Sequence, residues 1–151
     1  MALILNSYPS YIVPIYDVKM TEDYYLIVMQ LCNGGDLSKL KNYLQGWSDM
    51  ATLNFWKNVC LKIYEGILIL HENNVLHRDF KPDNIFVHYP SKNNKTINVE
   101  NFDPFIDFEI KIGDFGLAWQ GLIANMPLTW EVGASLMRSP EYMKGSKNVA
   151  K

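Results

Sequence analysis

Six apolar side chains, Leu53, Trp56, Cys60, Ile63, Ile67 and Leu70, recur every three or four residues with no proline among them. That spacing is the period of an α-helix. It predicts one long, largely buried helix over about residues 50–73, with Ser48 or Asp49 as its N-cap. Gly66 lies inside the segment and weakens such a helix by roughly 1 kcal/mol against alanine, unless close packing needs the missing side chain. A helix of this length in 151 residues obliges the other elements to pack around it.

Before the helix, residues 11–16 and 24–31 are apolar runs rich in β-formers, separated by the polar stretch Lys19 to Asp23. They predict two strands of a hairpin, with Pro14 placing the first near an edge or an end. Asn33-Gly34-Gly35-Asp36 is a breaker that ends on an N-cap residue, and Leu37, Leu40, Tyr43 and Leu44 follow at helical spacing. After the long helix come short strand-like runs at 75–76, 85–87 and 108–112. Residues 90–104 are polar, rich in Asn and bounded by Pro90 and Pro104, as a surface loop or insertion is. Strands and helices do not alternate regularly, so the fold class expected is α+β.

Composition narrows the function. The apolar fraction is 48% and the charged fraction 20%, ordinary for a globular domain. Fourteen basic against sixteen acidic residues leave a formal charge of −2, and this gives no footprint for nucleic acid or an anionic membrane. Cys32 and Cys60 match no zinc spacing and are expected to be buried or half-buried thiols. The apolar start of the chain has no basic residue and is broken by Asn6, Ser7, Pro9, Ser10 and Pro14, unlike a signal peptide. No run is long enough for a membrane helix. The expected compartment is cytoplasmic, with the nucleus also open.

Three motifs carry chemistry. Residues 77–84 read His-Arg-Asp-Phe-Lys-Pro-Asp-Asn, residues 114–116 read Asp-Phe-Gly, and residues 139–141 read Ser-Pro-Glu. Each is weak alone. In this order, after a long helix and beside short apolar runs, they are specific together. They resemble the catalytic loop, the magnesium motif and the end of the activation segment of the eukaryotic protein kinase family. The resemblance covers nearly the whole chain, and Lys81 two residues after Asp79 is similar to the serine/threonine branch.

That resemblance implies transfer of the ATP γ-phosphoryl group to a Ser or Thr hydroxyl of a protein, a reaction of positioning and charge neutralisation. It makes Asp79 the base and sets Lys81 against the charge of the transferred group. Asn84 and Asp114 become magnesium ligands, since hard cations take oxygen donors. Arg78 is implied to pair with a phosphorylated activation segment, with Thr129 as the candidate phosphosite. On the adenine side the resemblance implies the Gln30 carbonyl and the Cys32 backbone as base contacts. Met29 is then the gatekeeper, Phe86 the apolar floor and Asp36 a ribose contact. Leu5, Ile15, His77 and Phe115 are implied to stack between two lobes. The cofactors implied are ATP and Mg2+. The partners implied are a protein substrate and a regulatory protein.

The same resemblance divides the chain. Residues 1–31 correspond to the end of a small lobe and the hinge, and residues 32–151 to the first half of a helical lobe with an insertion near 88–106. The first glycine is Gly34, and the only lysine before the hinge is Lys19 in the hairpin turn. The family's Gly-rich loop and ATP-binding lysine therefore have no counterpart, and the position of the helix glutamate falls on Met1. Ala134 and Met137 stand where the family usually has Thr and Tyr. Three readings remain: a kinase, a pseudokinase or interaction module, and a fragment that is unstable or aggregation-prone alone.

Overall fold

In a computed structural model the described residues are 5–40, 49–92 and 107–121. Strand β1 (Ile15–Met20) and strand β2 (Tyr25–Met29) form an antiparallel hairpin. Helix α1 (Leu37–Leu40) and the long helix α2 (Asp49–Glu72) follow. Then come β3 (Val75–Leu76), a 3-10 turn at Pro82–Asn84, β4 (Ile85–His88), β5 (Glu109–Ile112) and β6 (Trp119–Gln120). The strands pair as three antiparallel ladders, β1 with β2, β3 with β6 and β4 with β5. The architecture is a mixture of short strands and helix, as expected. Among the described residues no helix is long and apolar enough to cross a membrane.

The hairpin forms four residues later than the apolar run suggested. Residues 11–13 are not part of its first strand. They lie along β5 instead: Ile12 bridges Ile112, the Val13 amide donates to the Ile112 carbonyl at 2.9 Å, and the Ile112 amide donates to Tyr11 at 2.8 Å. Pro14 ends that segment. The hairpin then turns at 21–24, where Thr21 Oγ1 accepts the Tyr24 amide at 2.9 Å. β-propensity could not separate these two uses of an extended chain, because both are extended.

Helix α2 spans the expected residues, but its covered face is narrower and rotated. Phe55, Val59 and Leu70 are buried, whereas Leu53 is 62% exposed and Cys60 is exposed as well. Leu61 and Tyr64 also face outward. The segment is apolar on more than one side, so periodicity alone did not choose the stripe. Gly66 is one point where α2 closes on β5: a Cβ there would lie 2.9 Å from Ile112 Cδ1. Ser48, Tyr43 and Leu44 lie outside the described residues.

Two apolar clusters hold the layers. One joins Leu37 and Leu40 of α1, Phe55 and Val59 of α2, and Ile85, Val87 and Ile110 of the β4–β5 ladder. The other joins Leu5, Ile12, Leu70, Val75 and Ile112. Phe80 packs against both. Strand alternation explains the ladder: Ile85, Val87, Ile110 and Ile112 face the clusters, while Phe86, His88, Glu109 and Lys111 project to the other side.

The candidate active site

The β4–β5 register assembles the site. Ile85 pairs with Ile112, so the residues just outside the pair, Asn84 and Gly113, meet at one end of the ladder. There the Gly113 amide donates to the Asn84 carbonyl at 2.9 Å. Asp114 follows directly. His77 ties the preceding loop to the same place, with Nε2 donating to the Gly113 carbonyl at 2.8 Å and Nδ1 accepting the Asp79 amide at 3.3 Å. Burial, opposed by the Gly113 carbonyl and the nearby carboxylates, holds this imidazole below its ordinary pKa.

Asp79 is held from two sides. Lys81 Nζ lies 2.6 Å from its Oδ2, and Asn84 Nδ2 donates to its Oδ2 at 3.0 Å and to its carbonyl at 2.9 Å. The Asp79 contact, against a small cost of burial, raises the Lys81 pKa and keeps the amine charged. Arg78 and Asp114 are non-glycine residues with φ of 63° and 56°. Left-handed backbone costs an L-residue roughly 1–2 kcal/mol, and such strain gathers where side chains must be aimed. Arg78 Nε donates to the Leu117 carbonyl at 2.7 Å, which fastens the loop to the chain after Asp114. Asp114 Oδ1 accepts the Gly116 amide at 3.3 Å.

A cleft of about 560 Å³ opens beside Asn84, Gly113 and Asp114. Ile27 and Met29 fall on one face of β2 and Ile15 pairs across from Met29, so three apolar side chains roof it. Phe86 and Val13 line it as well, and Asp83, Asn84 and Asp114 supply its polar end. Gly113 shapes its depth, because a Cβ there would lie 2.8 Å from Phe86 Cε2 and 3.0 Å from Val13 Cγ2. An apolar slot ending in carboxylate and amide oxygens suits a flat ring carrying a metal-bound polyphosphate. Leu5, Ile15 and Phe115 all line the cleft, and the His77 and Phe115 rings are 5.0 Å apart.

The structure thus brings Asn84, Asp114, Met29 and Phe86 to one cleft, and Asp79 and Lys81, which are not among its lining residues, join it through Asn84. Gln30, Cys32 and Asp36 are not among the cleft's lining residues. The Gln30 amide is spent on the Pro14 carbonyl at 2.9 Å, and the Cys32 carbonyl accepts the Gly35 amide at 3.1 Å. Burial pushes the Cys32 thiol up to about 11. Asp36 caps α1: its Oδ1 accepts the Lys39 amide at 3.2 Å and the Ser38 hydroxyl at 2.5 Å, and its Oδ2 pairs with Lys39 Nζ at 2.6 Å. Burial works against that carboxylate, but Lys39 and Ser38 outweigh it and lower its pKa. Thr129, Ala134, Met137 and Glu141 lie outside the described residues. Sequence reasoning missed Gly113, whose position before Asp-Phe-Gly was the available signal, and Asp83, which lay inside the catalytic-loop motif.

Comparison with known proteins gives the family. The family model described as Protein kinase domain matches residues 1–151. Eukaryotic translation initiation factor 2-alpha kinase 1 of Mus musculus is 35% identical over 101 residues, 60% of this chain and 14% of that protein. Serine/threonine-protein kinase ULK1 of Homo sapiens is 30% identical over 132 residues, 87% of this chain and 11% of that protein. The chain therefore spans only a small part of the length of these curated relatives.

Proposed function

We propose, from the premise that this chain belongs to the protein kinase domain family, that it carries the phosphoryl-transfer site of a serine/threonine kinase. Its substrates are ATP and a Ser or Thr hydroxyl of a protein. Residues 1–31 then end the small lobe, and residues 32–151 begin the helical lobe with an insertion near 88–106. The single observation that supports the reading best is the Asp79 carboxylate, held by Lys81 and by Asn84, where Asn84 itself lines the polar end of an apolar cleft together with Asp114.

Asp79 accepts the proton of the substrate hydroxyl as the hydroxyl oxygen bonds to the γ-phosphorus. The bond from that phosphorus to the bridging oxygen breaks, and ADP leaves with the electron pair. The Lys81 ammonium balances negative charge on the group in transit. The donor set fits magnesium. Both acceptors of the Asn84 amide N–H groups belong to Asp79, which leaves Asn84 Oδ1 for a cation, and Asp114 offers a carboxylate beside it. No cluster of three His, Cys, Asp or Glu stands among the described residues, in keeping with an ion that takes its remaining oxygens from phosphate and water. Magnesium, when bound, supplies charge neutralisation on the phosphates. The adenine ring enters between Phe86 and the roof of Ile15, Ile27 and Met29, toward the backbone of Gln30 and Cys32.

The test is magnesium-dependent transfer from ATP to Ser/Thr peptides. Asp79→Asn is expected to lower the rate by about 10²–10⁴-fold while nucleotide binding persists. Equal rates in the two proteins exclude Asp79 as base. Nucleotide binding with no transfer in either protein favours a pseudokinase.

A further inference from the structure

The side of the β4–β5 ladder that faces segment 30–36 buries polar groups that the reaction above does not use. Segment 30–36 lies along β4. The Gly34 amide donates to the Val87 carbonyl and the Val87 amide to the Gly35 carbonyl, each at 2.9 Å. Asn33 imitates a strand, its amide side chain exchanging bonds of 3.1 and 2.8 Å with the Tyr89 backbone. Earlier in the segment the tie is between side chains: Gln30 Nε2 lies 3.3 Å from His88 Nε2.

His88 is only 6% exposed and pairs across the ladder with Glu109. Lys111, 2% exposed, donates to the Pro9 carbonyl and pairs with Glu109 Oε2 at 2.9 Å. Among the described residues Gln30 Oε1 and His88 Nδ1 are buried with no hydrogen-bond partner. The Gln30 Nε2 group can only donate. With Gln30 Nε2 as the donor, His88 Nε2 is the acceptor in the tautomer whose proton is on Nδ1.

We propose that His88 is a positioning residue: its ring anchors the Gln30 side chain and so sets the backbone of residues 30–32 against which the base is read. This rests on the nucleotide reading above. The Gln30 amide is held by Pro14 and the Gly34 amide by Val87, and the Gln30 side chain ties the chain to β4 between them. Protonation of His88 makes both ring nitrogens donors, so Nε2 no longer accepts from Gln30 Nε2 in this arrangement and the amide must turn to keep a tie. The groups facing the ring are Gln30, Glu109 and Lys111, with the Cys32 thiol sensing the same two charges. Burial and the Lys111 charge keep the ring neutral, and Glu109 opposes them. The anchor therefore holds at neutral pH and releases in acid.

Adenosine is the probe, since it lacks a phosphate that titrates in this range. His88→Gln keeps an acceptor and does not titrate; it is expected to bind adenosine as the parent does at pH 7.5. His88→Leu is expected to bind about two- to tenfold more weakly, the size of one neutral hydrogen bond. Parent affinity falls more steeply than that of His88→Gln as the pH is lowered below 6.5, since the contribution of His77 is common to both. Parent-like binding by His88→Leu, or the same acid loss in His88→Gln, overturns the proposal. Hydrogen exchange without ligand gives a second readout. Protection of the Gln30 amide falls in His88→Leu while the Gly113 amide keeps its protection. Equal loss at both amides means general loosening and overturns the proposal. Adenosine binding by no protein at any pH overturns the nucleotide reading, and exchange then decides whether His88 holds Gln30.

Discussion

The Asn84 side-chain amide donates twice to Asp79, once to the backbone carbonyl at 2.9 Å and once to Oδ2 at 3.0 Å. One buried residue thus shapes the loop and aims the carboxylate. Asn84→Ala leaves an Asp79 carbonyl without this donor and is expected to cost about 1–3 kcal/mol in denaturant unfolding. Asn84→Asp puts a second carboxylate against the first, and two such groups cannot both ionise freely. Asn84→Asp should therefore be less stable than Asn84→Ala at pH 8 and recover toward it at pH 5. A constant gap across that range contradicts the arrangement.

The exposed and covered faces of α2 separate cleanly by mutation. Phe55 is 3% exposed and packs edge-on to Trp56 and against Phe108, with ring centroids 5.5 and 5.3 Å away. Phe55→Ala is expected to destabilise by about 3–5 kcal/mol. Leu53→Ala, at a solvent-facing position, should stay within about 0.5 kcal/mol. Paired urea titrations measure both, and similar losses would mean that the helix is turned otherwise.

Gly34 and Gly35 are adjacent but constrained differently. A Cβ on Gly34 would stand 2.8 Å from the Val87 carbonyl oxygen, which is backbone, and 2.9 Å from Tyr89 Cε2. Gly35 has open space but a φ of 73°. Gly34→Ala is expected to cost about 1–3 kcal/mol through displaced backbone, and Gly35→Ala about 1 kcal/mol through left-handed strain. The order of the two thermal midpoints checks it. Gly34→Ala should also weaken nucleotide binding, since its clash bears on the segment that follows Cys32.

Acid should loosen the site through His77. Its folded pKa lies below the ordinary 6.5 because burial disfavours the charged ring. The unfolded chain therefore binds a proton that the folded chain resists. The resulting stability is complete above pH 6.5 and is lost as the pH falls toward the folded pKa. A second proton on the ring also removes the Nδ1 acceptor for the Asp79 amide. Unfolding free energy measured from pH 7.5 to 5 should fall, and His77→Phe should flatten part of that slope.

The sequence by itself determined the motif residues and the elements that carry them. The order of His77, Asp79, Lys81, Asn84 and Asp114 along the chain, the long helix and the short strands around 85–87 and 108–112 were all legible. Helical period and motif spacing are local properties, and the structure keeps them. The Asp36 cap was legible for the same reason.

What only the tertiary structure decided depends on which surfaces meet across long separations in the chain. Ile12 joined β5 rather than the hairpin because Ile112 offers an unpaired edge 100 residues later. The buried stripe of α2 became Phe55, Val59 and Leu70 because α1 and the β4–β5 ladder cover that side. His88 and Lys111 alternate as surface residues should, yet segment 30–36 and the Pro9 loop bury them. A side chain's period fixes its face, but burial is a property of whatever lies opposite, and no local pattern encodes that partner.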